Sequence, residues 1–266
     1  MSASVRSTAF DAPLQGAART LLARFLWPLG WLIMAVATLV AALVIVPLGL
    51  IRGPESAWFV PVVWSRLLLW LAGSKVSVSG AENLPLDGPA VIVSNHSSHL
   101  DGPALALAFP RPIVFVAKKE LARIPVFGQA LRGIGSVIVD RGRSEKARRQ
   151  MKKALDQIRA GSWVVIFAEG TRSRDGRLRA FKKGGFHLAI DAQVPIVPVA
   201  IRGAFAVLPK GAIHVRRPGT VEVVVGEPIS VAGLTKKDLP ELLERTHDTV
   251  GALLRESESR ENPTAV

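Results

Sequence analysis

The sequence predicts an α/β protein with a mixed, largely parallel central sheet flanked by helices. From Lys75 onward, short runs rich in β-branched residues alternate with helical segments, which is typical of a sheet covered on both faces. The run 90–94 stops abruptly in small polar residues, as a buried strand does at the sheet edge where α/β proteins place their chemistry. Before Gly73, a long uncharged segment predicts membrane-embedded helices.

Composition limits both the class of protein and its partners. A chain of 266 residues is long enough for one sizeable hydrophobic core and a small additional region. It has no cysteine, which excludes disulfides and thiolate metal sites. Its formal net charge of +13 indicates an anionic partner: phospholipid headgroups, a phosphorylated substrate or nucleic acid.

The N-terminal region predicts a membrane anchor. Residues 1–20 are small and polar without an apolar period, so we expect them to be disordered. The next charged boundary is Arg24, and residues 25–51 then form an uncharged run of 27 residues that ends at Arg52. This run is long enough to cross a hydrocarbon core of about 30 Å. It is too long for a secretory signal peptide, and no cleavage site follows it.

A second apolar stretch, 57–72, contains Pro61, Arg66 and three tryptophans, which suit the headgroup boundary better than the bilayer centre. We therefore predict a membrane-anchoring helical pair over residues 21–73, joined near Gly53-Pro54 and embedded from one side. The alternative is a pair of ordinary core helices.

The remaining domain is predicted to span residues 74–256, followed by a flexible tail, 257–266. Strands are predicted at 75–79, 90–94, 113–117, 136–140, 163–168 and 221–225, and helices at 101–109, 126–132, 144–160, 186–192 and 239–254. The run 193–201 contains Pro195 and Pro198, which favour an edge or bulged strand lining a cleft.

A candidate acid–base pair follows the second predicted strand. Asp101 precedes Gly-Pro and an apolar run, so it is predicted to be a helix N-cap across a tight turn from His96. A carboxylate that accepts one imidazole N–H leaves the other ring nitrogen free to remove a hydroxyl proton, worth about 10²–10⁴-fold in rate. The alternative is that Asp101 only caps the helix and His96 only fills the turn. His99 adds a third possible metal ligand to His96 and Asp101, but three neighbouring positions without a distant His or Cys cluster predict no metal site.

A second polar group follows the run 163–168. Arg172 matches a phosphate bidentately through its planar guanidinium. Glu169 cannot favourably meet a dianion, so we expect it to hold Arg172 or a substrate hydroxyl. The alternative for Glu169 is an ordinary ion pair.

Residues 95–101 resemble the NHxSxxD signature of the PlsC-like lysophospholipid acyltransferases, the 1-acyl-sn-glycerol-3-phosphate acyltransferase family. Three further blocks follow in the family's order between about residues 75 and 205. They are Lys119 with Leu121, Pro125 and Gly128; the turn 168–172, where Ala168 replaces the family's proline; and the proline-containing run 194–199. Lys183 and Gly184 resemble the family's K-x-G turn.

The resemblance implies a glycerol-3-phosphate acyltransferase-like fold. It also implies transfer of a fatty acyl group to the sn-2 hydroxyl of lysophosphatidic acid, forming phosphatidic acid. The co-substrate would be acyl-CoA or acyl-ACP, and no cofactor is needed. His96 would be the general base and Asp101 its orienting carboxylate. The substrate-binding positions would be Asn95, Ser98, Lys119, Arg141, Glu169, Gly170, Thr171, Arg172, Lys183 and Gly184.

The expected partners are lysophosphatidic acid, the acyl donor and a membrane phospholipid surface. The expected location is a bacterial-type inner (cytoplasmic) membrane, with the catalytic domain on its cytoplasmic side. Two alternatives remain: an acyltransferase for another lyso-lipid, such as lyso-ornithine lipid, or a non-enzymatic basic membrane-binding protein. Nucleic acid is disfavoured because the basic stretches lack interleaved aromatic residues. Ser97 and Ser98 lie outside a G-x-S-x-G elbow, which argues against an acyl-enzyme hydrolase.

Overall fold

The central sheet organises the fold. The computed structural model describes residues 12–140 and 144–255. The strands, in chain order, are β1 (Lys75–Ser79), β2 (Ala90–Ser94), β3 (Ile113–Lys118), β4 (Val137–Val139), β5 (Trp163–Phe167), β6 (Ile196–Arg202) and β7 (Thr220–Val225). They form one sheet in the spatial order β1-β7-β6-β2-β5-β3-β4. All neighbouring pairs are parallel except β6 and β7, so the predicted mixed, largely parallel sheet is confirmed.

Helices cover both faces of this sheet. They are α1 (Ala12–Arg52), α2 (Phe59–Leu71), α3 (Asp101–Ala108), α4 (Phe127–Gly133), α5 (Ser144–Arg159), α6 (Gly184–Ala192), α7 (Ala204–Val207) and α8 (Leu239–Arg255). Strand β2 is buried along its whole length. Ile92 belongs to the apolar cluster on the α2 and α3 face, and Val93 to the cluster on the α5, α6 and α8 face. Burial on both faces explains why β2 is a continuous apolar run.

The position of β6 corrects one prediction. We expected an edge or bulged strand from its prolines, but β6 lies inside the sheet between β2 and β7. On the β7 side, the pairing next to Pro198 is irregular. Val199 lies opposite Val225 and Ile196 lies opposite Ile229, so the segment that faces β6 contains one extra residue. This irregularity accommodates a residue that lacks an N–H donor.

The N-terminal helices differ in part from the prediction. Within the described residues, helix α1 extends over Ala12–Arg52 and so includes part of the segment 1–20 that we expected to be disordered. Residues 1–11 and the predicted tail 257–266 lie outside the described residues. Within the described ranges, one helical stretch, Pro28–Arg52, is long and apolar enough to cross a membrane. Helix α2 has 13 residues, and a membrane-embedded pair stays a prediction.

Helix α1 packs against the α/β domain along one stripe. Met34, Ala41 and Ile45 are buried, while Leu32 and Leu43 on other faces are more than half exposed. At the crossing with α4, a Cβ added to Gly49 would lie 2.5 Å from the carbonyl oxygen of Gly133. Only a residue without a Cβ permits this approach, so the two backbones are in direct contact.

This contact predicts that Gly49→Ala lowers the free energy of unfolding by about 1–3 kcal/mol, because the added methyl group must displace the α4 backbone. Gly30→Ala is the matched control, since Gly30 lies on the same helix with nothing within 4 Å of an added Cβ. The control variant is expected to gain about 0.5–1 kcal/mol from helix propensity. Thermal or denaturant unfolding in detergent measures both, and equal effects would contradict the close packing.

Candidate active site

The candidate site lies where the turns after β2 and β5 meet. These strands are parallel neighbours, so their carboxyl ends lie side by side at one edge of the sheet. The Ala168 N–H donates to the Ser94 carbonyl oxygen (3.2 Å), and the Ser173 N–H donates to the His96 carbonyl oxygen (2.8 Å). Two backbone hydrogen bonds therefore hold the turns together. A proline in place of Ala168, as the family has, would lack the first of these donors.

A histidine and an aspartate form the centre of this site. The Nδ1 atom of His96 lies 2.7 Å from Oδ2 of Asp101, which also accepts the backbone N–H groups of Ser97 (2.7 Å) and Ser98 (2.8 Å). Oδ2 acts as a hydrogen-bond acceptor toward both backbone N–H groups, so Nδ1 is assigned as the donor of the third hydrogen bond. That tautomer leaves Nε2 as the proton acceptor. Asp101 is fully buried, whereas the side chain of His96 is 22% exposed.

The role predicted for Asp101 as a helix N-cap is wrong. Leu100 occupies the N-cap position and Asp101 is the first residue of α3. The carboxylate reaches back to the preceding turn because the first turn of α3 offers it little. Pro103 has no N–H, and the Ala104 N–H donates to the Leu100 carbonyl oxygen.

The imidazole ring is also held by an aromatic contact. Phe167, the last residue of β5, stacks on His96 with the ring centroids 4.0 Å apart and the planes 14° from parallel. The ring of His96 is therefore fixed through both its edge and its face, and its orientation does not depend on a substrate.

Glu169 supports the backbone of His96. Its Oε1 atom accepts the His96 N–H at 2.8 Å, and the residue is buried. The sequence predicted a contact with Arg172 or a substrate hydroxyl instead. Burial and, to a smaller extent, the charge of Asp101 raise the pKa of Glu169 to about 7, against the opposing effects of the His96 N–H and of Arg179. A carboxyl group that is partly neutral at pH 7 repels an anion less than a full carboxylate does.

Arg172 lies in the turn after β5, close enough to Asp101 for their charges to interact. It is half-buried, and burial lowers its pKa while the charge of Asp101 raises it. Within the described part of the chain, four buried polar atoms of the two turns have no hydrogen-bond partner: Asp101 Oδ1, Glu169 Oε2, Arg172 Nη1 and Ser173 Oγ. Buried polar groups are normally paired. Their concentration here is that of a site built for a polar ligand.

Lys210 is a site residue that the sequence did not predict. Its Nζ atom donates to Thr171 Oγ1 (3.3 Å) and to the Arg172 carbonyl oxygen (3.2 Å). Desolvation and the charges of Arg174, Arg172, Arg179 and Lys118 lower its pKa. Lys210 lies in a loop after the last family block, 194–199, so no spacing pattern pointed to it. Several cations converge here, which favours an anionic ligand.

Two predicted binding residues hold the scaffold together. The Asn95 side chain donates to the Ile201 carbonyl oxygen (3.0 Å) and accepts the Ile201 N–H (2.7 Å), which extends the pairing of β2 with β6. The hydroxyl of Ser98 donates to the Leu208 carbonyl oxygen at 2.6 Å. Asn95 fastens the site to the sheet, and Ser98 fastens it to the loop that carries Lys210.

The other predicted positions are dispersed. Gly170 has a positive φ of 74°, which the turn requires, and Thr171 is exposed. Lys119 pairs with Asp140 (2.7 Å). Lys183 is exposed at the N-cap of α6, and Gly184, in its first turn, lies beside Met151 of α5. The prediction for Arg141 lies outside the described residues.

His99 differs from His96 in its surroundings. Desolvation, the Arg172 guanidinium and the His96 ring lower the pKa of His99 to about 4, and Asp101 opposes this. It is His96 whose ring contacts Asp101. Among residues 12–140 and 144–255, no three His, Asp or Glu side chains are grouped to hold a metal ion.

Comparison with known proteins defines the class. Residues 75–202 match the Acyltransferase family. The chain is 35% identical to 1-acyl-sn-glycerol-3-phosphate acyltransferase of Pseudomonas aeruginosa over 203 residues, 74% of this chain and 77% of that protein. It is 35% identical to 1-acyl-sn-glycerol-3-phosphate acyltransferase alpha of Mus musculus over 196 residues, 72% of this chain and 69% of that protein.

A solved structure agrees with these matches. The crystal structure of the 1-acyl-sn-glycerophosphate acyltransferase PlsC from Thermotoga maritima superimposes with a TM-score of 0.72 and 26% identity, covering 88% of this chain and 98% of that one. Together with the site, these similarities define an acyltransferase. The chain belongs to the Acyltransferase family and, as its motifs predicted, is similar within it to the PlsC-like lysophospholipid acyltransferases.

The raised pKa of Glu169 predicts a pH-dependent stability. Between pH 4.5 and about 7 the folded state keeps a proton that the unfolded state has lost, so the free energy of unfolding falls as the pH rises through this window. Glu169→Gln removes this loss and retains an acceptor for the His96 N–H. From pH 4 to pH 8, the variant is expected to gain about 3 kcal/mol relative to the parent.

Denaturant unfolding at several pH values measures this difference, with the exposed Glu82→Gln as the control. A difference between Glu169→Gln and the parent that stays constant with pH would contradict the raised pKa.

Proposed function

We propose that the protein transfers a fatty acyl group from acyl-CoA or acyl-ACP to the sn-2 hydroxyl of 1-acyl-glycerol-3-phosphate, forming phosphatidic acid for phospholipid synthesis. The observation that carries this proposal is the His96–Asp101 pair beside the cations Arg172 and Lys210. The names of the relatives, which are 1-acyl-sn-glycerol-3-phosphate acyltransferases, support the same acceptor.

The acid–base chemistry follows from the hydrogen bonds of His96. Nε2 takes the proton of the acceptor hydroxyl as its oxygen attacks the thioester carbonyl. Asp101 stabilises the imidazolium that forms and keeps the ring oriented. Collapse of the tetrahedral intermediate breaks the carbon–sulfur bond, and the proton passes from His96 to the thiolate. The products are the ester and the free thiol of the carrier.

The cations select the acceptor. A phosphate between Arg172 and Lys210 would receive charge-assisted hydrogen bonds, and the partly neutral Glu169 would repel it little. Lyso-ornithine lipid is the alternative acceptor. Its headgroup carries an amine and a carboxylate but no phosphate, so the excess of positive charge at the site favours it less than the doubly charged phosphate.

Membrane attachment would place the lipid acceptor within reach. The exposed apolar face of Pro28–Arg52 fits a hydrocarbon environment. The location we propose is a bacterial-type cytoplasmic membrane, with the catalytic domain on the side where acyl-CoA and acyl-ACP are made.

The base is tested by His96→Ala, which is expected to lower turnover of lysophosphatidic acid by about 10²–10⁴-fold. His99→Ala is the control, because His99 shares the site but His96 is the ring on Asp101. Release of free CoA from acyl-CoA measures both, with lysophosphatidic acid and with lyso-ornithine lipid as acceptors. Turnover retained in His96→Ala would rule out the general base, and faster turnover of lyso-ornithine lipid would rule out the acceptor.

Lys210→Met is expected to raise the KM for lysophosphatidic acid by about tenfold with a smaller change in kcat, because one charge-assisted hydrogen bond to the phosphate is lost. Steady-state kinetics at saturating acyl-CoA measure the two constants. Lys75→Met, at an exposed position of the outer strand β1, is the control. An unchanged KM in Lys210→Met would exclude Lys210 from the phosphate site.

A further inference from the structure

We propose that the loop formed by residues 209–218, here named the bridging loop, is a second lipid-contacting element that inserts Ile213 into the headgroup layer of an anionic bilayer. The inference rests on the membrane attachment of α1 proposed above. It does not depend on which lyso-lipid is acylated.

The bridging loop is held in one position by its base. The Arg216 N–H donates to the Val207 carbonyl oxygen at 2.8 Å, and the Ala212 N–H donates to the Pro209 carbonyl oxygen at 3.1 Å. Ala212 and Val215 pack against the hydrophobic core. The loop therefore has an inner side that belongs to the domain and a fixed outer side.

The outer side presents an apolar residue to solvent. The side chain of Ile213 is 70% exposed. Its neighbours Ala212 and Val215, in contrast, pack against the hydrophobic core. Single exposed apolar residues are common on protein surfaces. This one is different because it continues a larger apolar surface on α1.

The connection to α1 is direct. Trp31 donates its indole N–H to the Ile213 carbonyl oxygen at 3.0 Å. Trp31 is 55% exposed, and Leu32 beside it is 60% exposed. Trp31 lies near the start of the uncharged run, about two helical turns after the charged boundary at Arg24. Tryptophan prefers the membrane–water interface, so this contact places the tip of the loop at the level of the headgroups.

The charge of the bridging loop identifies the kind of surface. The loop contains Lys210, Arg216 and Arg217 and no acidic residue. Arg216 and Arg217 are both exposed. Basic residues beside an apolar one favour a bilayer that contains anionic lipid, each contributing about fivefold in partitioning. Water-soluble polyanions would use the arginines but not Ile213.

The absence of cysteine from the chain allows a clean test. Ile213→Cys, Leu43→Cys and Leu86→Cys are each labelled with an environment-sensitive fluorophore, and the full chain is reconstituted into vesicles of phosphatidylcholine with or without phosphatidylglycerol. Leu43 is an exposed residue of α1. Leu86 is an exposed residue of the turn before β2, at the end of this strand opposite to the candidate active site. Lipid-borne nitroxides quench a probe that lies in the bilayer.

The proposal predicts that the probe at 213 is quenched severalfold more than the probe at 86, and more strongly with phosphatidylglycerol. Arg216→Gln with Arg217→Gln should reduce quenching at 213 without changing it at 43. Quenching at 43 but not at 213 would overturn the bridging loop as a lipid contact. Absence of quenching at 43 would instead overturn the proposed attachment of α1, and turnover of a short-chain soluble acceptor verifies that each labelled protein is folded.

Discussion

Much of the site depends on a single oxygen atom, Oδ2 of Asp101. It accepts the His96 ring N–H and the backbone N–H groups of Ser97 and Ser98. The carboxylate therefore shapes the turn and orients the imidazole at the same time. Because Asp101 begins α3 and is fully buried, packing of this helix against the sheet fixes the position of the imidazole. Loss of the carboxylate would release the turn as well as the ring.

A second layer of contacts surrounds this oxygen. Glu169, after β5, holds the His96 backbone, Asn95 joins the turn to β6, and Ser98 joins it to Leu208, just before the bridging loop. Three polar residues in the motifs thus bind backbone groups, a role that a motif does not distinguish from binding a substrate. Arg172 and Lys210 are positively charged side chains next to His96 and Asp101. They are better candidates for binding an anionic ligand than the motif residues that hydrogen-bond to the backbone.

The sequence was sufficient for the succession of strands and longer helices along the chain, because strands buried on both faces are continuous apolar runs. It was also sufficient for the pairing of His96 with Asp101, because a short loop separates them. It was misleading where a local pattern had two physical solutions. The segment after Leu100 looked like a capped helix, but Pro103 removes a donor that a cap would bind. Prolines suggested that β6 was an edge or bulged strand; it lies inside the sheet, where an extra residue in the neighbouring segment accommodates Pro198. Lys210 was not predictable, since only the folded chain brings it to Arg172.

The close approach of Gly49 to Gly133 bears on how the protein searches for its substrates. A helix in backbone contact with the catalytic domain is not a tether on which that domain swings. Whatever plane α1 occupies therefore sets the height of His96 above it. With α1 in a membrane as proposed above, a lipid acceptor whose hydroxyl lies at that height reaches the site by two-dimensional diffusion, whereas a lipid whose hydroxyl lies deeper does not. The fixed height of His96 therefore contributes to the choice of lipid acceptor, in addition to the side chains that contact it.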